Sequence, residues 1–189
     1  IVQFAVMEGK SLYPSNVFPR VRDDVPDAIG AILDESADCG IDVYMPLGSL
    51  AESYAVTNDL TDMKRLDGTE RLVAELRSLY GHHSSFAGWF IAEEAQNGLY
   101  EGITYLKALC NIAHEATPGL PVISAPHILN EGLEDASLLS EWGLDILWSQ
   151  VLAERCSLTG PLMRSGEKWS DRIERISRVK EACNQAGVT

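Results

Sequence analysis

The sequence has little positive charge and no long apolar run. It contains 15 lysine and arginine residues against 28 aspartate and glutamate residues, which gives a formal net charge of −13. Nucleic acids and anionic membrane surfaces attract proteins through basic patches, so this balance argues against both as partners. No apolar stretch approaches the roughly 20 residues that a membrane-crossing helix needs. We therefore expect neither nucleic acid nor a membrane among the partners of this chain.

The fingerprints of common cofactors are also missing. No G-x-G triplet occurs, so the dinucleotide-binding turn is absent, and no G-x-x-x-x-G-K-(S/T) occurs, so the phosphate-binding loop is absent. We expect no cofactor. The cysteines show no C-x-x-C spacing, and three of the four fall in or beside predicted helices; they are Cys39, Cys110, Cys156 and Cys183. They are interpreted as small core residues, with a structural disulfide as the alternative.

What is present is a recurring unit of amphipathic helix, glycine and short apolar run. It occurs at Cys39–Val43, Pro118–Val122 and Trp142–Ile146, and begins again at Ala186–Thr189. Glycine ends a helix in a left-handed turn, and the following residues enter a strand. The predicted strands are Ile1–Val6, Ile41–Pro46, Ala87–Ala92, Pro121–Ala125 and Leu144–Ser149.

Strands that alternate with helices predict an α/β fold with a parallel sheet. Because polar and aromatic residues gather after the strands, we favour a (β/α) TIM-type barrel over an open doubly wound sheet. The strands are too few for a complete barrel, which has about eight, since about five to six are present. We expect residues 1–189 to form a single domain that is part of a (β/α) barrel truncated at both ends.

If the strands form a barrel, the side chains at their C-terminal ends surround one mouth. Aromatic faces stack on pyranose rings, while carboxylate, amide and imidazole groups hydrogen-bond hydroxyls. The set therefore predicts a carbohydrate cleft, with a saccharide as the partner. The candidate residues, in chain order, are Glu8, Tyr44, Glu93, Glu94, His127, Asn130, Trp148 and Gln150.

Glu93 and Glu94 come directly after the apolar strand that contains Trp89 and Phe90. Hydrolysis of a glycosidic bond uses two carboxyl groups, one of which has a raised pKa and acts as general acid. A carboxyl group beside aromatic rings is desolvated, which raises its pKa. Successive strand residues point to opposite faces, so only one of the two glutamates can face the cleft on a regular strand.

Each of these features also has a purely structural interpretation. Adjacent glutamates before a helix can be first-turn charges that the helix dipole favours. Trp89 and Trp148 can be packing residues, and His127 can be an ordinary loop histidine.

The stretch Leu79–Glu94 resembles an uncharacterised, mainly bacterial family of glycoside-hydrolase-like barrel domains. That family carries a G-W-(Y/F)-(I/L)-P-x-E strand after a Tyr-Gly loop, and here Gly88–Glu94 reads G-W-F-I-A-E-E, with Ala92 in place of the proline. Asp145–Gln150 is similar to a later D-I-(I/L)-x-x-Q strand of the family. The family glutamate falls on Glu94.

The family is distantly similar to the clan-A glycoside hydrolases, and this resemblance implies that Glu94 is the general acid/base. It also implies that the nucleophile belongs to a strand beyond Thr189. Glu8 and Glu52 are the other strand-end carboxylates in the sequence. Two alternatives stay open: a non-catalytic carbohydrate-binding barrel, and a divalent-metal-dependent barrel with Glu8, Glu94 and His127 as ligands.

Overall fold

The structure, a computed structural model, describes residues 1–2, 4–21, 24, 26–48, 63–92, 99–126, 131–148 and 169–189. Within these ranges short strands alternate with helices, as the recurring unit predicts. In chain order the elements are β1 (Val6–Met7), β2 (Lys10–Ser11), α1 (Ala28–Cys39), β3 (Val43–Leu47), α2 (Arg65–Tyr80), β4 (Phe86–Ile91), α3 (Leu99–Ala116), β5 (Val122–Ser124), α4 (Ala136–Trp142), β6 (Ile146–Leu147) and α5 (Trp169–Ala186).

The four strands β3 to β6 form one parallel sheet in sequential order. Each of them overlaps a predicted strand, so the prediction of an α/β fold with a parallel sheet is confirmed. Pairing continues at Thr189, whose amide donates to Asp145 O at 2.9 Å and whose carbonyl accepts from the Leu147 amide at 2.9 Å. The unit that begins again at Ala186 therefore pairs with the sheet, as predicted.

The first predicted strand is different. Val6 and Ser11 pair antiparallel in a hairpin whose turn residues, Glu8 and Gly9, have φ of 51° and 70°. A two-residue hairpin turn with positive φ at both central residues matches the twist of the strands that it connects. Upstream of the hairpin, the Val2 amide donates to Tyr44 O at 3.0 Å, so the start of the chain lies along the edge of β3.

Each helix of the later units packs against the next: α2 on α3, α3 on α4, and α4 on α5. Two glycines end helices in the left-handed conformation predicted for them, Gly40 after α1 at φ 67° and Gly143 after α4 at φ 77°. None of the helices in the described part of the chain is both long enough and apolar enough to cross a membrane.

The parallel sheet has two faces with different surroundings. Alternate residues such as Met45, Trp89 and Val122 belong to the buried core shared with the helices. The residues between them, which include Phe90 and Ile123, are buried but lie outside that core cluster. We call this second side the inner face; its described members are Tyr44, Pro46, Gly88, Phe90, Ile123 and Ile146.

Candidate functional site

The strand ends of the sheet bring four residues side by side. Leu47, Ile91, Ser124 and Leu147 are the last paired positions of β3 to β6 and lie in one row. Extending this register by one residue sets the next four residues next to each other. We call these four the rim row: Gly48, Ala92, Ala125 and Trp148.

Trp148 is the large side chain of the rim row, and it is 60% exposed. Its amide donates to Ser124 O at 2.8 Å, so its backbone is held in the sheet while its ring contacts solvent. The rim row has the parity of the inner face, since Ile146 and Trp148 are two residues apart on one strand. The structure thus brings Trp148 to the strand ends where we predicted a sugar-stacking residue.

Trp89, in contrast, is a core residue. Its side chain is 0% exposed, and its Nε1 donates to Thr117 Oγ1 at 2.7 Å. Its ring also meets Phe86 edge to face, with the centroids 5.1 Å apart. The structural interpretation therefore applies to Trp89, since its indole has no surface left for a ligand.

Tyr44 and Gly88 are register partners in the N-terminal half of the sheet. A Cβ at Gly88 would lie 2.4 Å from Pro121 O and 2.9 Å from Tyr44 Cε1. Glycine is needed there because the Tyr44 ring and the Pro121 carbonyl fill the space. Tyr44 thus lies three residues before the end of its strand on the inner face, below the row that contains Pro46 and Phe90.

These contacts divide the G-W-F-I-A-E-E segment into two parts. Gly88 gives room to Tyr44, Trp89 and Ile91 belong to the core, and Phe90 is buried on the inner face. The packing of the sheet therefore accounts for the first four residues of the motif. The two glutamates of the motif lie outside the described residues.

The remaining predicted residues fall in two groups. Glu8 is exposed at the turn of the β1–β2 hairpin, which follows the segment beside β3. Five others lie outside the described residues: Glu93, Glu94, His127, Asn130 and Gln150. Their roles in the cleft stay predictions.

Two histidine side chains contact aspartates at the other end of the sheet. His114, in the last turn of α3, has its Nε2 at 2.8 Å from Asp145 Oδ2, and the same oxygen accepts the Val122 amide at 2.8 Å. His83 Nδ1 lies 3.4 Å from Asp34 Oδ1, in the loop before β4. Both histidines precede strands, so these contacts position loops at the N-terminal ends.

Cys110 is buried on α3, four residues before His114 on the same helix. Burial, together with the negative charge of Asp145, raises the pKa of its thiol to about 12. A thiol with this pKa stays protonated near neutral pH and is a poor nucleophile. Cys110 therefore acts as a core residue, as does buried Cys183, whereas Cys39 is exposed and differs from the prediction.

A hydrogen-bonded network of buried tyrosines has no counterpart in the sequence predictions. Tyr13 is 0% exposed and donates to Glu75 Oε2 at 2.7 Å, while Tyr80 donates to Asp27 at 2.7 Å. Burial and the neighbouring carboxylates raise the pKa of both phenols above the ordinary value, so both remain donors. The network attaches the segment after the hairpin to α2; no periodic signal in the sequence marks it.

A groove of about 710 Å³ is lined by residues of α3, α4 and α5 and of the loop before α4. Its lining includes Tyr100, Asp135 and Arg175, and Glu134 in it pairs with Arg175 at 3.1 Å. Among the residues that the structure describes, no group of three or more histidine, cysteine, aspartate or glutamate side chains is arranged to hold a metal ion. Two of the three predicted metal ligands, Glu94 and His127, lie outside the described ranges.

Among solved structures, the chain is similar to one described as a putative alpha-L-fucosidase from Bacteroides thetaiotaomicron VPI-5482. The TM-score is 0.69 at 13% sequence identity, over 98% of this chain and 58% of that one. The chain thus spans less than two thirds of the length of that structure, and an identity this low establishes likeness of fold alone. No match was found among curated proteins.

A family model described as a domain of unknown function, DUF4434, matches residues 1–185. The predicted resemblance to a domain family of unknown function is thereby confirmed. With nearly its whole length inside the match, the chain belongs to the DUF4434 family.

Proposed function

We propose that this chain is part of a TIM-type (β/α) barrel of the glycoside-hydrolase kind that hydrolyses a poly- or oligosaccharide, with Glu94 as general acid/base. The observation that carries the proposal is the sequential order of β3 to β6, with α2 to α5 each packed on the next helix. In a doubly wound sheet the strand order reverses at a switch point, and the helices divide between two faces. Strands that are added on one side under a single helix layer are typical of a barrel.

Glu94 follows the end of β4 by three residues. Phe90 lies on the inner face, and Ala92, two residues further along, has the same parity. If side chains continued to alternate between the two faces, Glu94 and not Glu93 would face the cleft. Near Trp148 and the apolar inner face, a carboxyl group would be desolvated, and its pKa would rise toward the value that a general acid needs. Glu93 would then face the helix layer or cap the next helix.

The other predicted residues complete the proposed cleft. Trp148 would stack on a sugar ring, and Gln150, His127 and Asn130 would bind hydroxyls. Tyr44 lies deeper on the inner face and would act as part of the floor, and Glu8 would act from the hairpin. The likeness to a structure described as a putative alpha-L-fucosidase supports a glycosidase-like fold but does not extend to its substrate.

The test is a pair of isosteric variants in the full-length protein. We expect Glu94→Gln to lower kcat for a hydrolysed oligosaccharide by about 100-fold or more, because the leaving oxygen loses its proton donor. Glu93→Gln is the matched control and should change kcat by less than about threefold. Equal losses in both variants, or activity that survives Glu94→Gln, would contradict the assignment of Glu94.

A non-catalytic carbohydrate-binding barrel is the second candidate, and the exposure of Trp148 favours it as much as it favours the enzyme. In that case Glu94 would only hydrogen-bond the ligand. The two functions differ in one readout: the enzyme should keep its affinity and lose turnover on Glu94→Gln, whereas a binding protein has no turnover in the parent.

A further inference from the structure

We propose that the rim row is a subsite for one uncharged pyranose ring, which lies flat against Trp148 over Ala92 and Ala125. This inference rests on the proposed carbohydrate function and adds to it the class of sugar and its orientation. It is carried by the exposure of Trp148, by the small side chains next to it in the rim row, and by the charge of the chain.

The exposure of Trp148 contrasts with that of the other described tryptophan side chains. Trp89 and Trp142 are 0% and 1% exposed, whereas Trp148 is 60% exposed. An indole that is exposed to solvent leaves a large apolar face unburied. The main-chain hydrogen bond from Trp148 to Ser124 holds the backbone of Trp148 in the sheet. A tryptophan with a fixed backbone and a free face is suited to stacking on the C–H face of a sugar.

The neighbours of Trp148 in the rim row are small. Ala125, which is next to it in the register, has only a methyl group, and so does Ala92 on the strand beyond. Two residues before Ala92 and Ala125 on the same face, Phe90 and Ile123 are 8% and 3% exposed, so the layer beneath the rim is already closed. A ligand on the rim row therefore lies on top of a packed floor, with Trp148 at one side.

The charge of the chain selects among sugars. The rim row contains no ionisable side chain, and the whole chain has a formal net charge of −13. A field of this sign repels uronates and sulfated sugars on approach, and nothing in the row compensates that repulsion. The ring that fits is a neutral hexose, deoxyhexose or pentose that presents C–H bonds, and not axial hydroxyls, to the indole.

The experiment uses the full-length protein with Glu94→Gln, which separates binding from turnover. An array of neutral oligosaccharides of glucose, galactose, mannose, xylose and fucose, together with galacturonate oligomers, identifies the tightest glycan, and calorimetry then gives its Kd. We expect Trp148→Ala and Ala125→Leu each to weaken this Kd by about tenfold or more, because one removes the stacking face and the other fills the floor. Trp148→Phe should keep the Kd within about threefold.

Tyr100→Ala is the matched control, because Tyr100 is a similarly exposed aromatic residue at 58% but lies on α3 in the helix layer. It should leave the Kd unchanged. The inference is overturned if Trp148→Ala binds like the parent, if galacturonate oligomers bind more tightly than neutral ones, or if no neutral glycan binds.

Failure of the subsite and failure of the proposed reaction give different results. If turnover requires Glu94 but Trp148→Ala keeps full affinity, the subsite is wrong and the hydrolase stands. If binding requires Trp148 but the wild-type protein turns over none of the glycans that it binds, the subsite stands and the hydrolase is wrong.

Discussion

At the scale of single residues, two serine side chains are buried to a similar extent but differ in their hydrogen bonding. Ser85 is 3% exposed, and its Oγ donates to Leu33 O at 2.7 Å. Ser124 is 1% exposed at the end of β5, and its Oγ has no hydrogen-bond partner in the part of the chain that the structure describes. A satisfied buried hydroxyl contributes roughly 1 kcal/mol, whereas an unsatisfied one costs free energy.

The pair gives a matched prediction about stability. We expect Ser85→Ala to lower the free energy of unfolding by about 1–2 kcal/mol, because the Leu33 carbonyl loses its donor inside the protein. We expect Ser124→Ala to leave the free energy of unfolding unchanged or to raise it by up to about 1 kcal/mol. Urea unfolding followed by circular dichroism measures both. A loss in Ser124→Ala as large as that in Ser85→Ala would mean that the Ser124 hydroxyl has a partner.

Burial follows helical periodicity only at the centre of an apolar stripe. Ile29 and Leu33 are four residues apart on α1 and are both buried. Ile32 is three residues from Ile29 but is 45% exposed, because it lies about 100° around the helix from Leu33. Ile173 near the start of α5 is likewise 51% exposed, while Val179 further along the same stripe is buried. Periodicity gives the centre of a buried face but not its edges.

At the scale of elements, Gly88 is the point where β3, β4 and the start of β5 come closest. The Tyr44 ring from β3 and the carbonyl of Pro121 before β5 both lie within 2.9 Å of the position that a Cβ on Gly88 would take. The Trp89 amide also donates to Pro121 O at 2.9 Å, so that carbonyl is held in place. A side chain at this position must displace backbone as well as a ring.

We therefore expect Gly88→Ala to lower the free energy of unfolding by about 1–3 kcal/mol, as overpacked core substitutions do. Adding Tyr44→Leu should recover only part of the loss, because the Pro121 carbonyl remains 2.4 Å from the new Cβ. Chemical denaturation of the single and double variants measures both effects. Full recovery in the double variant would show that the ring alone, and not the backbone, requires glycine here.

The elements themselves were predictable to different degrees. The four parallel strands were found from apolar runs bounded by helix-ending glycines such as Gly40 and Gly143, because these are local signals. The β1–β2 hairpin was missed, because Glu8-Gly9 is not one of the usual hairpin dipeptides and the strands it joins have two residues each. The Tyr13–Glu75 hydrogen bond joins residues 62 positions apart, and nothing local announces it.

At the scale of the whole molecule, the order of the strands in the sheet was predictable from the sequence. The side chains that surround the strand ends were predictable only in part. Right-handed crossovers between parallel strands limit the topologies that a repeated strand–helix unit can adopt. The strand ends therefore follow from the sequence, and Trp148 lies where the pattern puts it. Glu94 and His127, which follow the strand ends in the sequence, lie outside the described residues, and no periodic pattern specifies where their side chains point.

The charge of the whole chain leads to the last prediction. A net charge of −13 destabilises the folded state by self-repulsion, which acts over the Debye length. This length falls from about 30 Å at 10 mM salt to about 8 Å at 150 mM. We therefore expect the urea midpoint at pH 7 to rise as NaCl is increased over this range.

Ion pairs oppose this effect, because salt also screens attraction. The i,i+4 pairs on the helices, Arg71–Asp67 at 3.3 Å and Arg178–Glu174 at 3.1 Å, are well exposed and should contribute little to the free energy of unfolding. Sucrose at matched osmolality is the control for effects that do not depend on charge. A midpoint that falls with NaCl would mean that attraction within pairs outweighs the repulsion of the excess carboxylates. In that case the electrostatic field of the net negative charge would be too weak to exclude anionic sugars from the rim row.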